Sequence, residues 1–379
     1  MRRREFIAGT AATAAMGFAQ PICAQTNVRP GVKRIAIFHP TDPPEEITSN
    51  TNRVYKAYFD ELKKHGYIEG QNLIVERYSA LGHPDRIGDL AREIVANHPD
   101  VVLPLSGVFL KEFMALHSFI PMVGPTADPV AFEFASNLTR PDKHFTGVVI
   151  DAGLEIWPKR FQLLLETARK MTKLGFLNAN PLAWGSSERA KHTERTFVVY
   201  DLVRPGGLVR QAAQGAGIPM AFVVVAGKFD PAVLAMLESP QIYGPLIVAG
   251  ELIDRAAYER TFDLMEKAGV DGLILTEASE HFSYRQVIVD LAAKFRIPAI
   301  YPYREFVEVG GLMAYGIDLV DAFRRVAEMT GQVLKGAKPS DIPFDRQTKY
   351  EVVLNQKAAT SLGLEFPPTL LTAADEVIE

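Results

Sequence analysis

Residues able to do chemistry are plentiful in this chain, but their spacing does not assemble a known catalytic pattern. Eight histidines stand at positions 39, 65, 83, 98, 117, 144, 192 and 281. No two are four apart, so no pair shares a helix face for a metal, and there is no His-Glu-x-x-His. Gly185-Ser186-Ser187-Glu188 lacks the spacing of a nucleophile elbow. Val225-Ala226-Gly227-Lys228 ends like a phosphate loop, yet Phe222 stands where its upstream glycine must be. Gly215-Ala216-Gly217 precedes an apolar run instead of following one, the wrong order for a dinucleotide turn. Acid–base work would need two carboxylates face to face, and Asp151, Glu277 and Asp318 are the ones to check. The expectation is a chain with no catalytic residues, no metal and no cofactor.

What the sequence offers instead is small polar residues placed directly after apolar runs. Ser106-Gly107 follows one such run and opens a helix, whose free N–H groups and positive dipole end can hold a carboxylate. Ser106 either contacts a ligand or simply caps that helix. Pro125-Thr126-Ala127-Asp128-Pro129 follows the next run. Thr126 and Asp128 are binding candidates there, with Asp128 alternatively an N-cap before a proline at N1. Asp151 ends the run after that. In the second half Asn178, Glu277 and the Tyr301-Pro302-Tyr303 stretch take equivalent places; Tyr301 and Tyr303 either face a ligand or pack. Trp184 sits in the Pro181–Gly185 loop, where it either stacks on a ligand or packs as a lid.

The elements that would position these residues alternate. Short apolar runs at 34–38, 73–76, 101–105 and 121–124 read as buried strands, with helical spacing at 55–64, 87–96 and 108–117 between them. The rhythm returns with strands at 174–177, 220–225, 246–248, 272–276 and 298–301, and a helix near 284–295. Such alternation predicts an α/β fold with parallel sheets covered on both faces. The halves also share a pattern. Asp100–Ser106 parallels Asp271–Glu277, Ile120–Val123 parallels Ile297–Ile300, and Gly147–Asp151 parallels Met313–Asp318. One lobe used twice predicts two Rossmann-like lobes joined by a hinge. Lobe one is expected at 32–147 plus about 313–355, lobe two at 148–312, and a tail at 356–379 packing on the lobes. Carboxyl ends of the strands would face the cleft between the lobes, where ligands bind in such folds.

The first 24 residues read as an address. Arg2, Arg3 and Arg4 precede a small apolar core and Ala24, the layout of a cleaved export signal, and Arg3-Arg4-Glu5-Phe6-Ile7 has a twin-arginine look. Cys23, the single cysteine among 379 residues, falls inside this segment, so cleavage would leave no thiol or disulfide. Formal net charge is −4; losing three Arg and one Glu with the signal leaves −6. A mildly acidic chain with scattered charge argues against nucleic acid as a partner. The expected location is the periplasm, and the expected state a soluble monomer.

The stretch Pro298-Ala299-Ile300-Tyr301-Pro302-Tyr303-Arg304-Glu305-Phe306 through Gly310-Gly311-Leu312-Met313-Ala314-Tyr315-Gly316 resembles the hallmark of ABC-transporter substrate-binding proteins of the tryptophan/tyrosine-binding type. Gly66–Leu73, Ala127–Val130, Leu334–Pro339 and Leu362–Leu371 add to the likeness. The resemblance implies a type I periplasmic-binding-protein-like fold. It further implies capture of a small solute, such as an amino acid or an aromatic or carboxylate compound, and delivery to an ABC permease in the inner membrane. The chain departs from the family pattern in its Ser106-Gly107-Val108-Phe109 turn and in a longer second lobe between Leu177 and Gly272. Two rival readings are an enzyme on the same scaffold and a periplasmic ligand sensor for a membrane receptor.

Overall fold

A computed structural model describes residues 31–130, 132–141, 143–150, 155–179, 204–225 and 246–379. The expected export signal lies outside them, as do Asp151 and Trp184. In chain order the elements are β1 (Lys33–His39), α1 (Arg53–Lys64), β2 (Leu73–Ser79), α2 (Ile87–Asn97), β3 (Val101–Pro104), α3 (Gly107–Ala115), β4 (Met122–Thr126) and β5 (Phe145–Val149). Next come α4 (Ile156–Thr167), β6 (Leu174–Asn178), α5 (Arg204–Gly215), β7 (Met220–Val224), β8 (Leu246–Val248), α6 (Arg255–Lys267) and β9 (Gly272–Leu275). After these follow α7 (Ser279–Ser283), α8 (Arg285–Lys294), β10 (Ala299–Tyr301), α9 (Arg304–Glu308) and β11 (Met313–Ile317). The last are α10 (Leu319–Leu334), β12 (Asp345–Arg346), β13 (Tyr350–Asn355), α11 (Gln356–Leu362), α12 (Pro368–Ala373) and β14 (Glu376–Ile378).

The strands form two sheets. The first runs β12-β5-β4-β3-β1-β2 and is parallel throughout. Its strands are apolar on both faces because helices cover both. Ile35, Ile37, Leu103, Val123 and Val148 pack in one cluster with α1 and α10. Ala36, Phe38, Val102, Met122 and Phe145 pack in another with α2 and α3. Asn52 starts α1 by accepting hydrogen bonds from the Val54 and Tyr55 amides at 3.0 and 2.9 Å.

The second sheet runs β14-β13-β11-β10-β9-β6-β7-β8, parallel except where β13 runs against β11. Phe176, Phe222, Ile274 and Ile300 face α4 and α5, while Val223, Leu273, Leu275 and Ala299 face the other way, with α6 and α8. The order β5-β4-β3-β1-β2 of the first sheet reappears as β11-β10-β9-β6-β7 in the second, so the shared sequence pattern is a shared topology.

That repeat moves one expected boundary. Residues 313–355 do not return to lobe one as a block. Met313 and Ala314 extend the parallel ladder beside Ile300 and Tyr301, which makes β11 the fifth strand of lobe two, as β5 is of lobe one. β13 then pairs with β11. Only α10 and β12 go back, α10 lying against α1 and the first sheet and β12 pairing with β5. The tail packs on lobe two: β14 pairs with β13, and Phe366 and Leu370 join the cluster of α4 and α5. The chain therefore passes between the lobes after β5, after β11 and after β12. No helix among the described residues is long and apolar enough to cross a membrane.

Candidate functional site

The carboxyl ends of strands from both sheets converge on a partly open cavity of about 220 Å³. The first lobe supplies His39 from the end of β1, Ser106 and Gly107 after β3, Thr126 at the end of β4 and Ile150 after β5. From the second come Asn178 at the end of β6, Thr276 and Glu277 after β9, Ser279 and Glu280 in α7, and Tyr303 after β10. Tyr55 of α1 and Phe323 of α10 close one side. Phe132, Phe134, Trp157 and Phe282 add aromatic wall, so a mostly apolar pocket carries a few directed polar groups, the usual build of a small-molecule site.

Glu277 is fixed from behind. Arg160 of α4, whose side chain is 1% exposed, donates to its carboxylate at 2.6 Å. The same guanidinium donates through Nε to the Tyr315 carbonyl at 2.9 Å and lies 4.8 Å from the centre of the Trp157 ring. Glu277 and Arg160 thus cancel as charges. Glu280 has no such partner among the described residues. Its carboxylate accepts from the Ser279 hydroxyl at 3.2 Å, and burial pushes its pKa up.

Asn178 Nδ2 and Thr276 Oγ1 are buried and have no hydrogen-bond partner among the described residues. Buried donors rarely stay unmatched, because each costs about 1–3 kcal/mol. Both line the cavity from lobe two, where a bound molecule with an acceptor would satisfy them.

Opposite them, the His39 ring accepts at Nδ1 from the amides of Thr41 and Asp42, at 3.1 and 2.7 Å. Its proton therefore sits on Nε2, 3.6 Å from Asp42 Oδ2. Burial lowers the His39 pKa, against the pull of Asp42. Tyr55 donates to the same carboxylate at 2.9 Å, and burial holds its phenol well above the ordinary range, with Asp42 adding to the shift. Behind Glu280, His281 lies between the Leu177 carbonyl, 3.3 Å from Nε2, and the Tyr258 hydroxyl, 2.9 Å from Nδ1. The carbonyl can only accept, so Nε2 carries the proton and Nδ1 accepts from Tyr258. Burial brings the His281 pKa to about 4. Both imidazoles are neutral and anchored by protein groups.

The lobes meet around this cavity. Thr41 and Ser283 hydroxyls are 2.7 Å apart, the Ile253 amide donates to the Gly82 carbonyl at 3.3 Å, and Arg53 of α1 pairs with Glu308 of α9. Glu305, 4% exposed, lies 3.4 Å from Arg53 Nε. Burial raises its carboxyl pKa to about 7, the Arg53 charge opposing.

Of the residues singled out in the sequence, Ser106, Gly107, Thr126, Asn178, Glu277 and Tyr303 come together on the cavity. Ser106 also caps α3, accepting from the Phe109 amide at 3.4 Å. Asp128 does not line the cavity and starts no helix. Its side chain accepts from the Val130 amide at 3.0 Å, and the chain turns back with Glu133 in the left-handed region at φ 57°. Tyr301 lies in the core of lobe two, 1% exposed and stacked on Phe306 at 5.0 Å, in the cluster that also holds Ala299 and the α8 side chains. Of the carboxylates named for acid–base work, Glu277 is held by Arg160, Asp318 caps α10 through the Asp321 amide at 3.0 Å, and Asp151 lies outside the described residues. Sequence reasoning missed His39, Tyr55, Thr276 and Glu280. The run Thr276-Glu277-Ala278-Ser279-Glu280 at a strand end was a usable signal for the last two. Nothing local marks His39 or Tyr55.

Residues 260–378 match the family described as ABC transporter substrate binding protein. No curated protein matches the chain. Among solved structures, a conserved domain protein from Vibrio cholerae is 19% identical with a TM-score of 0.68, covering 91% of this chain and 99% of its own. The ABC domain from Streptococcus pneumoniae in complex with L-Trp is 20% identical at 0.66, covering 92% and 100%. A 5-methylthioribose transporter solute binding protein from Thermotoga lettingae is 14% identical at 0.50, covering 90% and 95%. At these identities the likeness is one of fold, the two-lobed architecture of type I periplasmic binding proteins.

Proposed function

We propose that this chain, whose residues 260–378 carry the ABC transporter substrate binding protein match, is a solute receptor for an ABC importer. It captures a small organic solute, an amino acid or an aromatic or carboxylate compound, and presents it to a permease in the inner membrane. The reading includes export by a cleaved signal at 1–24, work in the periplasm as a monomer, and no chemical step. One observation carries it: a cavity walled by the strand ends of both lobes and holding buried donors that have no hydrogen-bond partner among the described residues.

The mechanism is a population shift. Among the described residues, the lobes are joined by the crossing segments and by contacts around the cavity. A solute that touches both walls interacts with the closed arrangement more than with an open one, and that difference alone drives closure. The permease then reads the closed surface.

Thermal stabilisation of the purified chain against amino acids, aromatic acids, amines, small carboxylates and sugars tests the reading. A binding solute at about a hundred times its dissociation constant adds roughly 2.7 kcal/mol. A saturable shift with one class, recovered unchanged after incubation, is the expected result. No shift with any class, or turnover of the bound compound, would overturn the receptor reading.

A further inference from the structure

We infer that the solute is an organic cation of net charge +1, a primary or quaternary ammonium on an apolar or aromatic body, with its ammonium seated against Glu280. The inference rests on the receptor reading and departs from its amino-acid and carboxylate options. Three observations carry it.

The first is charge balance. Glu277 is neutralised by Arg160, which is buried and fully engaged. Glu280 lines the cavity and has no ion pair among the described residues, its carboxylate meeting only the Ser279 hydroxyl. The two histidines nearby are neutral by their hydrogen bonds. Among the described residues that line the cavity, the carboxylates therefore exceed their ion-pair partners by one. A monocation cancels that charge, a zwitterion leaves it, and a carboxylate doubles it.

The second is the wall. Phe132, Phe134, Trp157, Phe282 and Phe323 border the same space. Aromatic faces attract desolvated cations, most of all ammonium groups that have few hydrogen-bond partners. The protein already uses this pairing beside the cavity, with Arg160 4.8 Å from the Trp157 ring centre and Arg285 4.7 Å from that of Phe282.

The third is the donor set. Asn178, 6% exposed, and Thr276 offer Nδ2 and Oγ1 that have no partner among the described residues. Both groups are neutral, and they suit a carbonyl, ether or hydroxyl oxygen on the body of the solute. No unengaged cation lines the cavity among the described residues to take a carboxylate.

Three probes share one ring and differ in charge: tryptamine, tryptophan and indole-3-propionate. Choline is added as a small quaternary cation, and all are titrated calorimetrically into the purified chain. The expected order is a cation, tryptamine or choline, above tryptophan, with indole-3-propionate weakest. Glu280→Gln, which keeps shape and removes charge, should weaken tryptamine and choline about tenfold to a hundredfold and narrow the gap between tryptamine and tryptophan. Tighter binding of tryptophan or indole-3-propionate than of either cation by the parent chain overturns the inference and leaves the receptor reading standing. So does saturable binding of a sugar or carboxylate while neither cation binds. Silence from every compound in the wider panel overturns both.

Discussion

Replacing Arg160 by methionine leaves Glu277 ionised, almost enclosed, and without its cation. The arginine side chain is 1% exposed and that of Glu277 14%, with 2.6 Å between the charged atoms, so solvent screens little of the pair. Methionine keeps much of the arginine stem and its contact with Trp157, which isolates the charge effect from a packing defect. Removing one partner of a buried ion pair costs about 3–5 kcal/mol, because the other stays desolvated without compensation. In a domain the size of lobe two that is on the order of 10 °C in melting temperature. The assay is urea or thermal unfolding of Arg160→Met, of Glu277→Leu, and of the double variant, followed by circular dichroism. The double variant should recover most of what Arg160→Met loses, since no charge is then left unpaired, so the two single losses should be far from additive. If Arg160→Met melts like the parent, or the double variant is no better than the single, Glu277 is solvated in a way the geometry does not allow.

Other outcomes follow from single positions. Gly316→Ala places a Cβ 1.8 Å from the Pro302 carbonyl oxygen, where backbone must give way, and should cost about 1–3 kcal/mol in chemical denaturation. Gly207→Ala in α5 meets open space and should stabilise by roughly 0.5–1 kcal/mol in the same assay, an opposite sign for the same substitution. The Glu305 carboxyl pKa is raised by burial from 4.5 to about 7. The folded state thus holds that proton more tightly than the unfolded one. Its favourable contribution is complete below pH 4.5 and fades as pH rises to 7. Glu305→Gln should therefore flatten the stability loss across that window and be the more stable form at pH 8; identical pH profiles would show that the carboxyl titrates as if exposed. Arg53→Ala removes a contact between lobes without touching the cavity, and should weaken solute binding about twofold to fivefold, as expected for a partly exposed pair.

Period and repetition made the architecture legible. Apolar runs bounded by turn residues located β1, β3, β4, β6, β7, β9 and β10 within a residue or two, because strands buried on both faces have no polar alternation to blur them, whereas β2 runs three residues past the expected 73–76 into the half-exposed Arg77. The paired segments around Asp100 and Asp271 anticipated that Ser106 and Glu277 would stand at matching strand ends in the two lobes. The same repeat, followed one strand further, would have put Met313–Ile317 in lobe two; that boundary went astray because a strand ladder is set by hydrogen bonding across the sheet, which the sequence does not record. At the site, residues just after strands were readable. Tyr301 was not, since period 2 gives two faces without saying which is covered, and its neighbour Tyr303 shows how near the alternative lies. His39 and Tyr55 reach the cavity through tertiary packing of β1 and α1, and Arg160 meets Glu277 across 117 residues, a relation no local pattern encodes.

The return of α10 and β12 to the first lobe has a consequence for how the chain is made. That lobe needs residues 33–149 and also 319–346, so its edge strand and one helix of its cover are synthesised after nearly all of lobe two. Until then Ile37, Leu103, Val123 and Val148, which pack in one cluster with α10, lack that cover. A ribosome-bound stretch ending near residue 150 is therefore an unfinished half, open to holdase chaperones. Folding of lobe one waits on an element delivered from the far end of the message, and the two lobes mature together.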